Sequence, residues 1–207
     1  MLDYKSWILA LAAVLLPAAV LHATLSTEQP DLAAPPSLAG RLLIASPQMR
    51  DPFDHAVILM AQQGRDGALG IVINHPLDNR PIAAVLQALG VDAGGTKDSV
   101  RLFLGGPVGR DTAFVVHSID YRRDETLDID GRVALSDAAN VLRDMGRGKG
   151  PSKSLVALGY AGWAPSQLES EIARGAWVSV AEDPSLVFDD DRTKVWTDAM
   201  ALYKTDH

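Results

Sequence analysis

The stretch Leu158-Gly-Tyr-Ala-Gly-Trp-Ala-Pro-Ser-Gln-Leu-Glu-Ser-Glu-Ile172 is the most informative part of this chain, because it leads from an apolar strand into a helix. The residues before it, 154–158, form the short apolar run of a buried strand. Pro165 is a residue type favoured in a first helical turn, and Gly175 is the type favoured just past a helix end. The sequence therefore predicts a strand, a junction of glycines and aromatic residues, and a short helix.

Outward from this stretch, short apolar runs bounded by turn residues predict further strands. They lie at residues 41–46, 56–61, 67–73, 100–104, 113–117, 126–129, 132–135 and 177–181. Amphipathic segments predict helices at residues 81–89, opened by Pro81, at 136–145, capped by Ser136, at 165–174 and at 192–203. The strands cluster along the chain, and the helices do not alternate with them regularly. This pattern predicts a single α+β domain with a mainly antiparallel sheet.

The first 37 residues differ in composition from the rest and divide into a hydrophobic leader, residues 1–25, and a linker, residues 26–37. Residues 7–21 carry no charge, and an apolar run of about 15 residues fits a signal-peptide core better than a membrane span of about 20. Three interpretations remain open: a cleaved signal, an uncleaved anchor that contacts the membrane through residues 7–25, and a start site placed upstream of the true one. Residues 38–207 are predicted to form the folded domain.

Composition argues against several classes of function. The net charge is −7 and the isoelectric point is about 5.1, so the chain lacks the long-range attraction to phosphate that most nucleic-acid binders use. It contains no cysteine, which removes disulfides, thiolate metal sites, iron–sulfur clusters and a cysteine nucleophile. Direct nucleic-acid binding is therefore not expected. A protein or a small molecule is the expected partner.

Four motifs follow one another along the domain: Gly67-Ala-Leu-Gly-Ile-Val-Ile-Asn-His-Pro76, Leu104-Gly-Gly-Pro-Val108, Phe114-Val-Val-His117 and the stretch 158–172. In this order they resemble the YqgE/AlgH family of bacterial proteins, and the resemblance covers residues 38–203. The family more often has lysine or arginine where this chain has His75. The resemblance implies a coiled, barrel-like sheet flanked by helices and a cytosolic location. It also implies a link to the control of alginate exopolysaccharide production, without an established biochemical activity.

No catalytic constellation is evident. The loop Gly146-Arg-Gly-Lys-Gly-Pro-Ser-Lys153 lacks the spacing of a phosphate-binding loop, since Pro151 stands where the second glycine is needed. There is no Gly-x-Ser-x-Gly elbow and no pair of histidines at helical ligand spacing. The Gly105-Gly106 turn could expose N–H groups to an oxyanion, but tight turns use such pairs more often. We predict no catalytic residue, no metal and no cofactor.

We predict a binding surface at five positions where the family motifs coincide with polar loops: Asp51, Asn74, His117, Tyr160 and Trp163. Each position has a structural alternative. Asp51 and Asn74 are typical turn formers, and His117 at a strand end is typical of a hydrogen-bonded structural histidine. Both aromatic residues are suited to core packing, where the tryptophan would hold the following helix against the sheet.

Acidic residues crowd near the C-terminus, at Glu182, Asp183 and residues 189–191. The expected role is a solvated loop before the last helix, where carboxylates complement the helix dipole. The alternative is a divalent-cation site, since hard cations select carboxylate oxygens.

These observations predict a non-catalytic binding or regulatory protein that affects exopolysaccharide (alginate) gene expression indirectly. Two alternatives remain. One is a hydrolase or phosphate-handling enzyme that uses the Gly105-Gly106 turn with His117 or Asp51, and the other is a membrane-tethered envelope protein. The resemblance places the protein in the cytoplasm, whereas the leader favours the inner membrane or the periplasm.

Overall fold

A computed structural model describes residues 37–93 and 96–206 of the chain. The predicted leader and almost all of the linker lie outside these ranges. Among the helices within them, none combines the length and apolarity needed to cross a membrane.

The described residues form an α+β fold on a curled, mainly antiparallel sheet. The strands are β1 Arg41–Ala45, β2 Val57–Gly64, β3 Gly67–Val72, β4 Pro76–Pro81, β5 Ser99–Leu104, β6 Val108–Ser118, β7 Leu127–Asp128, β8 Val133–Asp137, β9 Ser154–Trp163 and β10 Trp177–Ala181. The helices are α1 Ile82–Ala88, α2 Ala138–Met145, α3 Gln167–Ala173, α4 Pro184–Val187 and α5 Val195–Asp206. The predicted fold class is confirmed at this level.

The strands follow the order β10-β1-β2-β3-β9-β6-β8-β7, and β4 and β5 form a branch that joins the sheet at β9. All pairs are antiparallel except β5 with β9. The predicted hairpin between β2 and β3 is present, with Gly64 opposite Gly67 at its turn.

β9 is the strand that links two parts of the sheet. One of its sides pairs with β6, while the other side changes partner along its length. Residues 156–158 pair with β5, and residues 161–163 pair with β3. Gly159, with a φ of 71°, lies where the change occurs. Glycine adopts this conformation at little cost, so β9 can bend there and link two parts of the sheet.

The backbone packs closely around this bend. A Cβ atom on Gly105 would lie 2.3 Å from the carbonyl oxygen of Gly159, and one on Gly106 would lie 2.1 Å from the carbonyl carbon of Tyr160. Contacts this short are not tolerated by real side chains, so both positions after β5 require glycine. The Gly-Gly-Pro motif therefore serves the close approach of two backbones.

The core lies on both faces of the sheet. Alternate residues of β2 point to opposite sides, which explains why its first five residues, 57–61, are all apolar and buried. Leu59 joins a cluster that includes Val195 of α5, and Ile58 joins a cluster that includes Leu168 of α3. A third cluster packs α1 and α2 against β5 and β6, and Leu86 of α1 is fully buried in it.

Several predicted boundaries need correction. Ser136 does not cap α2, because it lies in β8 and its hydroxyl contacts His117. The side chain of Asp137 caps the helix instead, by accepting from the backbone N–H of Ala139 at 3.0 Å. β9 continues through the glycine-rich stretch, where we predicted a junction. The sequence reading missed β4, whose six residues are all exposed, and α4.

The close contact at β9 yields a prediction for stability. We expect Gly106→Ala to lower the free energy of unfolding by at least about 3 kcal/mol, because the methyl group meets the Tyr160 backbone. Gly131→Ala is the matched control, since Gly131 has a φ of 80° but no atom within 4 Å of the added Cβ. That variant should lose only about 1–2 kcal/mol from backbone strain. Urea denaturation measures both, and equal losses would contradict the steric account.

Candidate functional site

Asn74, one of the predicted site residues, holds two loops together. Its side-chain oxygen accepts from the backbone N–H of Val57, and its amide nitrogen donates to the carbonyl oxygen of His55, both at 2.8 Å. The side chain is buried. Asn74 therefore fixes the loop after β3 against the loop before β2, and the exposed residues of those loops take defined positions.

His117, a second predicted residue, is buried without any exposed surface. Its Nδ1 lies 2.9 Å from the carbonyl oxygen of Ser118, which can only accept, so Nδ1 carries the proton. Nε2 then accepts from the hydroxyl of Ser136 at 3.0 Å, and that oxygen is 3.0 Å from the Thr126 hydroxyl. Burial lowers the pKa of His117, against the effect of the Ser118 carbonyl and Asp120. The ring is a neutral, fully bonded part of the sheet.

Trp163 is anchored by a carboxylate on the helix that follows it. Its indole N–H donates to Oε2 of Glu171 at 2.9 Å, and the indole of Trp177 donates to the same oxygen at 2.8 Å. The amide of Gln167 donates to the other oxygen at 3.0 Å. Burial opposes ionisation of Glu171, but these hydrogen bonds hold its pKa below the ordinary value. Trp163 thus fastens α3 to the sheet.

The five predicted positions do not form one surface. His117 lies opposite Ser154 at the start of β9, and Tyr160 lies six residues further along that strand, about 20 Å away. Tyr160 is half-buried and packs edge-to-face on Phe114. Asp51 and Asn74 belong to the pair of loops beside β2. Asp51 is the exposed member of the five.

The Gly105-Gly106 turn does not combine with His117 as a base. The N–H of Gly105 donates to Leu158 at 2.8 Å, and its carbonyl oxygen accepts from Val72 at 2.9 Å. His117 lies opposite Ser154, four residues from Leu158, which is about 13 Å along β9. This distance is too large for the turn and the imidazole to act on one reacting atom.

Exposed polar groups gather at the loops that Asn74 fixes. We call this the histidine loop cluster and define it by Asp51, Asp54, His55, His75 and Trp196. Nδ1 of His55 is 2.9 Å from a carboxylate oxygen of Asp54, and Nε2 of His75 is 3.1 Å from the carbonyl oxygen of Asp54. The His55 ring packs edge-to-face on Trp196, with the centroids 4.4 Å apart. The cluster therefore joins two loops and the start of α5.

The backbone at this cluster is strained. His55 has a φ of 50°, which is uncommon for a residue with a side chain and concentrates at functional sites. Each histidine ring is anchored through one nitrogen, which leaves the other nitrogen for a further partner. Burial lowers the pKa of His75, while the Asp54 carbonyl and the carboxylates of Asp54 and Asp51 act in the opposite direction. The cluster is suited to hydrogen bonding with a bound molecule.

A second polar cluster lies between the two ends of the sheet. We call it the seam cluster and define it by Asp130, Arg132 and Glu182. Arg132, just before β8, donates to the backbone carbonyl of Glu182, just after β10, at 3.1 Å. The same nitrogen lies 3.0 Å from Asp130 Oδ2 and 2.7 Å from Glu182 Oε2. The last contact has the distance of an ion pair but not the alignment of a hydrogen bond.

The two carboxyl groups of the seam cluster differ in protonation. Burial raises the pKa of Glu182 to about 8, and its interactions with Asp130 and Asp183 add to the rise, while Arg132 opposes it. Burial also disfavours ionisation of Asp130, but hydrogen bonds from Glu182, from two backbone N–H groups and from Arg132 hold its pKa below the ordinary value. At neutral pH Glu182 is the proton donor and Asp130 is the carboxylate.

Sequence reasoning missed both clusters as units. His55, Trp196 and Arg132 come from segments far apart in the chain, and no local spacing indicates their proximity. The prediction that Glu182 is solvated is wrong, because its side chain has 0% exposure. The alternation of side chains along β10 offered a signal for the burial of Glu182. Residues two apart in a strand share a face, so Glu182, just past the end of β10, lies on the same face as the buried Val180.

Across residues 37–93 and 96–206, no three histidine or acidic side chains are placed to hold a metal ion. The fold and the site together define the structural class of the protein, an α+β domain on a curled sheet with exposed polar groups in its loops. Its signature residues are engaged in packing and hydrogen bonds.

Comparison with known proteins gives the family. Residues 42–207 match the AlgH-like family. A UPF0301 protein of Cereibacter sphaeroides is 40% identical over 162 residues, which cover 77% of this chain and 88% of the relative. A UPF0301 protein of Jannaschia sp. is 41% identical over 166 residues, covering 79% and 86%. The chain belongs to the AlgH-like, UPF0301 family, which confirms the resemblance read from its motifs.

Two solved structures share the fold. The solution structure of the AlgH protein from Pseudomonas aeruginosa has a TM-score of 0.70 and 35% identity, covering 83% of this chain and 91% of that one. Protein DIP2367 from Corynebacterium diphtheriae has a TM-score of 0.60 and 24% identity, covering 80% and 86%. The second likeness shows the fold alone.

The raised pKa of Glu182 predicts how stability depends on pH. Between pH 4.5 and about 8 the folded chain keeps a proton on Glu182 that the unfolded chain has released. The contribution of this group to the free energy of unfolding therefore falls with rising pH, by up to about 1.4 kcal/mol per pH unit. Glu182→Gln keeps a neutral donor for Asp130 and cannot ionise. We expect the free energy of unfolding of the variant to rise relative to that of the wild type as the pH increases from 4.5 to about 8. Above pH 8 the difference should stay constant.

Urea denaturation followed by tryptophan fluorescence between pH 4.5 and 8.5 measures this difference. Asp111→Asn, at an exposed carboxyl on β6, is the control for removing a charge. Parallel pH profiles for the wild type and Glu182→Gln would show that the seam carboxyl does not titrate as its burial requires.

Proposed function

We propose that this protein is a non-catalytic binding protein with a regulatory role, and that its partner contacts the histidine loop cluster. The observation that supports the proposal is the contrast between this cluster and the remaining motif residues. Asn74, His117 and Trp163 are buried and bonded within the fold. Asp54 and His55 are about half exposed and stand on a strained backbone.

The cluster offers the features that partners recognise. Trp196 and the two imidazole rings provide flat apolar surface with polar edges, and the carboxylates of Asp51 and Asp54 provide acceptors. Their positions are fixed from below by Asn74 and by the indole of Trp196, which donates to the carbonyl oxygen of Ala45 at 2.9 Å. A rigid surface loses little entropy on binding.

The proposed regulation is indirect. A net charge of −7 opposes approach to DNA, so we propose that an effect on exopolysaccharide (alginate) gene expression passes through a protein or small-molecule partner. The proposal places the protein in the cytoplasm, where such a partner would be met.

Site-specific photo-crosslinking in living cells tests the surface. A photoreactive amino acid in place of Asp54 should capture a discrete partner in the cytosolic fraction, whereas the same group in place of Asp111 on β6 should not. Equal products from both positions would show that the cluster is not selective. A partner found only in the membrane or periplasmic fraction would overturn the proposed location.

A complementation experiment tests the role. His55→Gly removes the imidazole while accommodating the positive φ, so the loop keeps its conformation. In a deletion strain, His55→Gly combined with His75→Ala should fail to restore exopolysaccharide transcript levels, at unchanged protein abundance and melting temperature. The control is Asp111→Asn. Full restoration by the double variant would remove the cluster from the function, and salt-resistant, sequence-specific binding of the purified protein to promoter DNA would contradict indirect regulation.

A further inference from the structure

A cavity adjoins the seam cluster at the opposite end of β1 from the histidine loops. It has a volume of about 400 Å³ and is lined by Arg132, Val180, Ala181, Glu182, Asp183 and Leu202. Ala181 pairs with the first residue of β1, while the loop that carries Asp51 follows the last. This separation makes the cavity independent of the surface proposed above.

The Glu182 carboxyl lines this cavity, and although its protonated form donates to Asp130, no aligned donor reaches its oxygens. The side chain has 0% exposure, and neither carboxylate oxygen accepts a hydrogen bond. Its cover is the guanidinium of Arg132, which is 53% exposed and already shared with Asp130. An unsatisfied buried carboxyl costs folding free energy, and an exposed arginine side chain can move aside. The cavity therefore contains an acceptor that lacks a well-aligned donor.

The charge around the acceptor selects a cation. The carboxylates of Asp130 and Asp183 meet one guanidinium at this place, and Glu182 becomes a third carboxylate when it loses its proton, so an added positive charge is favoured. The remaining walls are apolar, and Leu202 of α5 is 40% exposed there. Within the part of the chain that the structure describes, no three side chains are placed for a metal ion. An organic cation fits these walls better than a hydrated one.

We propose that this cavity binds a small primary amine, with its ammonium group on the Glu182 carboxylate and its alkyl chain along Leu202. Arg132 remains on Asp130 and withdraws from Oε2, to which it is not aligned for a hydrogen bond. Below the pKa of Glu182 the reaction is an exchange of cations. The protonated carboxyl and the alkylammonium ion give the ion pair and one proton, which passes to solvent.

Isothermal titration of the full-length chain with butylamine tests the proposal. The apparent dissociation constant should fall about tenfold per pH unit between pH 6 and 8 and level off above, because each bound amine releases one proton. Titrations in two buffers of different ionisation enthalpy count that proton directly. Butanol, which has the chain without the charge, should not bind.

Two variants separate the parts of the site. Glu182→Gln should weaken butylamine binding at pH 8 at least about tenfold and remove its pH dependence, since the amide cannot pair with an ammonium. We expect this variant to be more stable than the wild type, so loss of binding cannot reflect unfolding. Leu202→Ala should weaken butylamine but leave methylamine unchanged. Asp111→Asn, the control, should change the binding of neither butylamine nor methylamine.

Other outcomes would overturn the proposal. Equal affinity of the wild type and Glu182→Gln would show that the carboxyl is not the ligand. Binding of Ca²⁺ or Mg²⁺ that excludes butylamine would assign the acidic groups to a metal instead. Equal binding of butanol would reduce the cavity to an apolar surface.

Discussion

The close contact between the Gly105-Gly106 turn and β9 is the constraint on which the rest of the structure depends. β9 runs beside β5 and then beside β3, and it can do so only because Gly159 bends the strand while the turn lies against its backbone. The carbonyl oxygen of Gly105 accepts from Val72, which joins the end of β3 to the same point. The link that β9 makes between two parts of the sheet follows from this contact.

The dense signature of the chain is explained by this geometry and by one carboxylate. Glycines allow the backbones to meet, and the aromatic residues that follow reach Glu171, which holds two indole groups and α3 in place. A part-buried carboxylate with several donors is a strong and directional anchor. The motif thus identifies a family through its fold. The exposed polar residues at which we propose binding lie outside it, in the loops that Asn74 connects.

Local patterns predicted most of the sheet, and they failed where a long-range contact decides the structure. β1, β2, β3 and β10 are apolar runs whose burial is visible in sequence. β4 is polar and bounded by prolines, and it is a strand only because β5 supplies its partner. Ser136 was a reasonable cap by residue type, but the nearby His117 engages its hydroxyl. The burial of Glu182 depends on a turn some fifty residues earlier, as its contact with Arg132 shows.

The candidate sites follow the same rule. Asp51 was chosen because it stands next to a recognisable turn, whereas Trp196 reaches the histidines from α5 at the other end of the chain. His117 and Trp163 were chosen for their place in motifs, but both side chains are buried by tertiary packing. A motif shows that a position matters. Only the fold shows whether it matters for packing or for a ligand.

The seam cluster joins the two ends of the sheet, which do not pair with each other as strands. β10 and the two-residue β7 lie at the two ends of the strand order, and Arg132 connects these ends through a carbonyl and two carboxyl groups. Buried ionic groups add little stability compared with apolar residues of similar size, since their desolvation offsets their attraction. Stability alone would therefore be served better by an apolar side chain at position 182. A carboxyl that is buried, lacks an aligned donor and lies next to a cavity is explained when the group has a ligand of opposite charge.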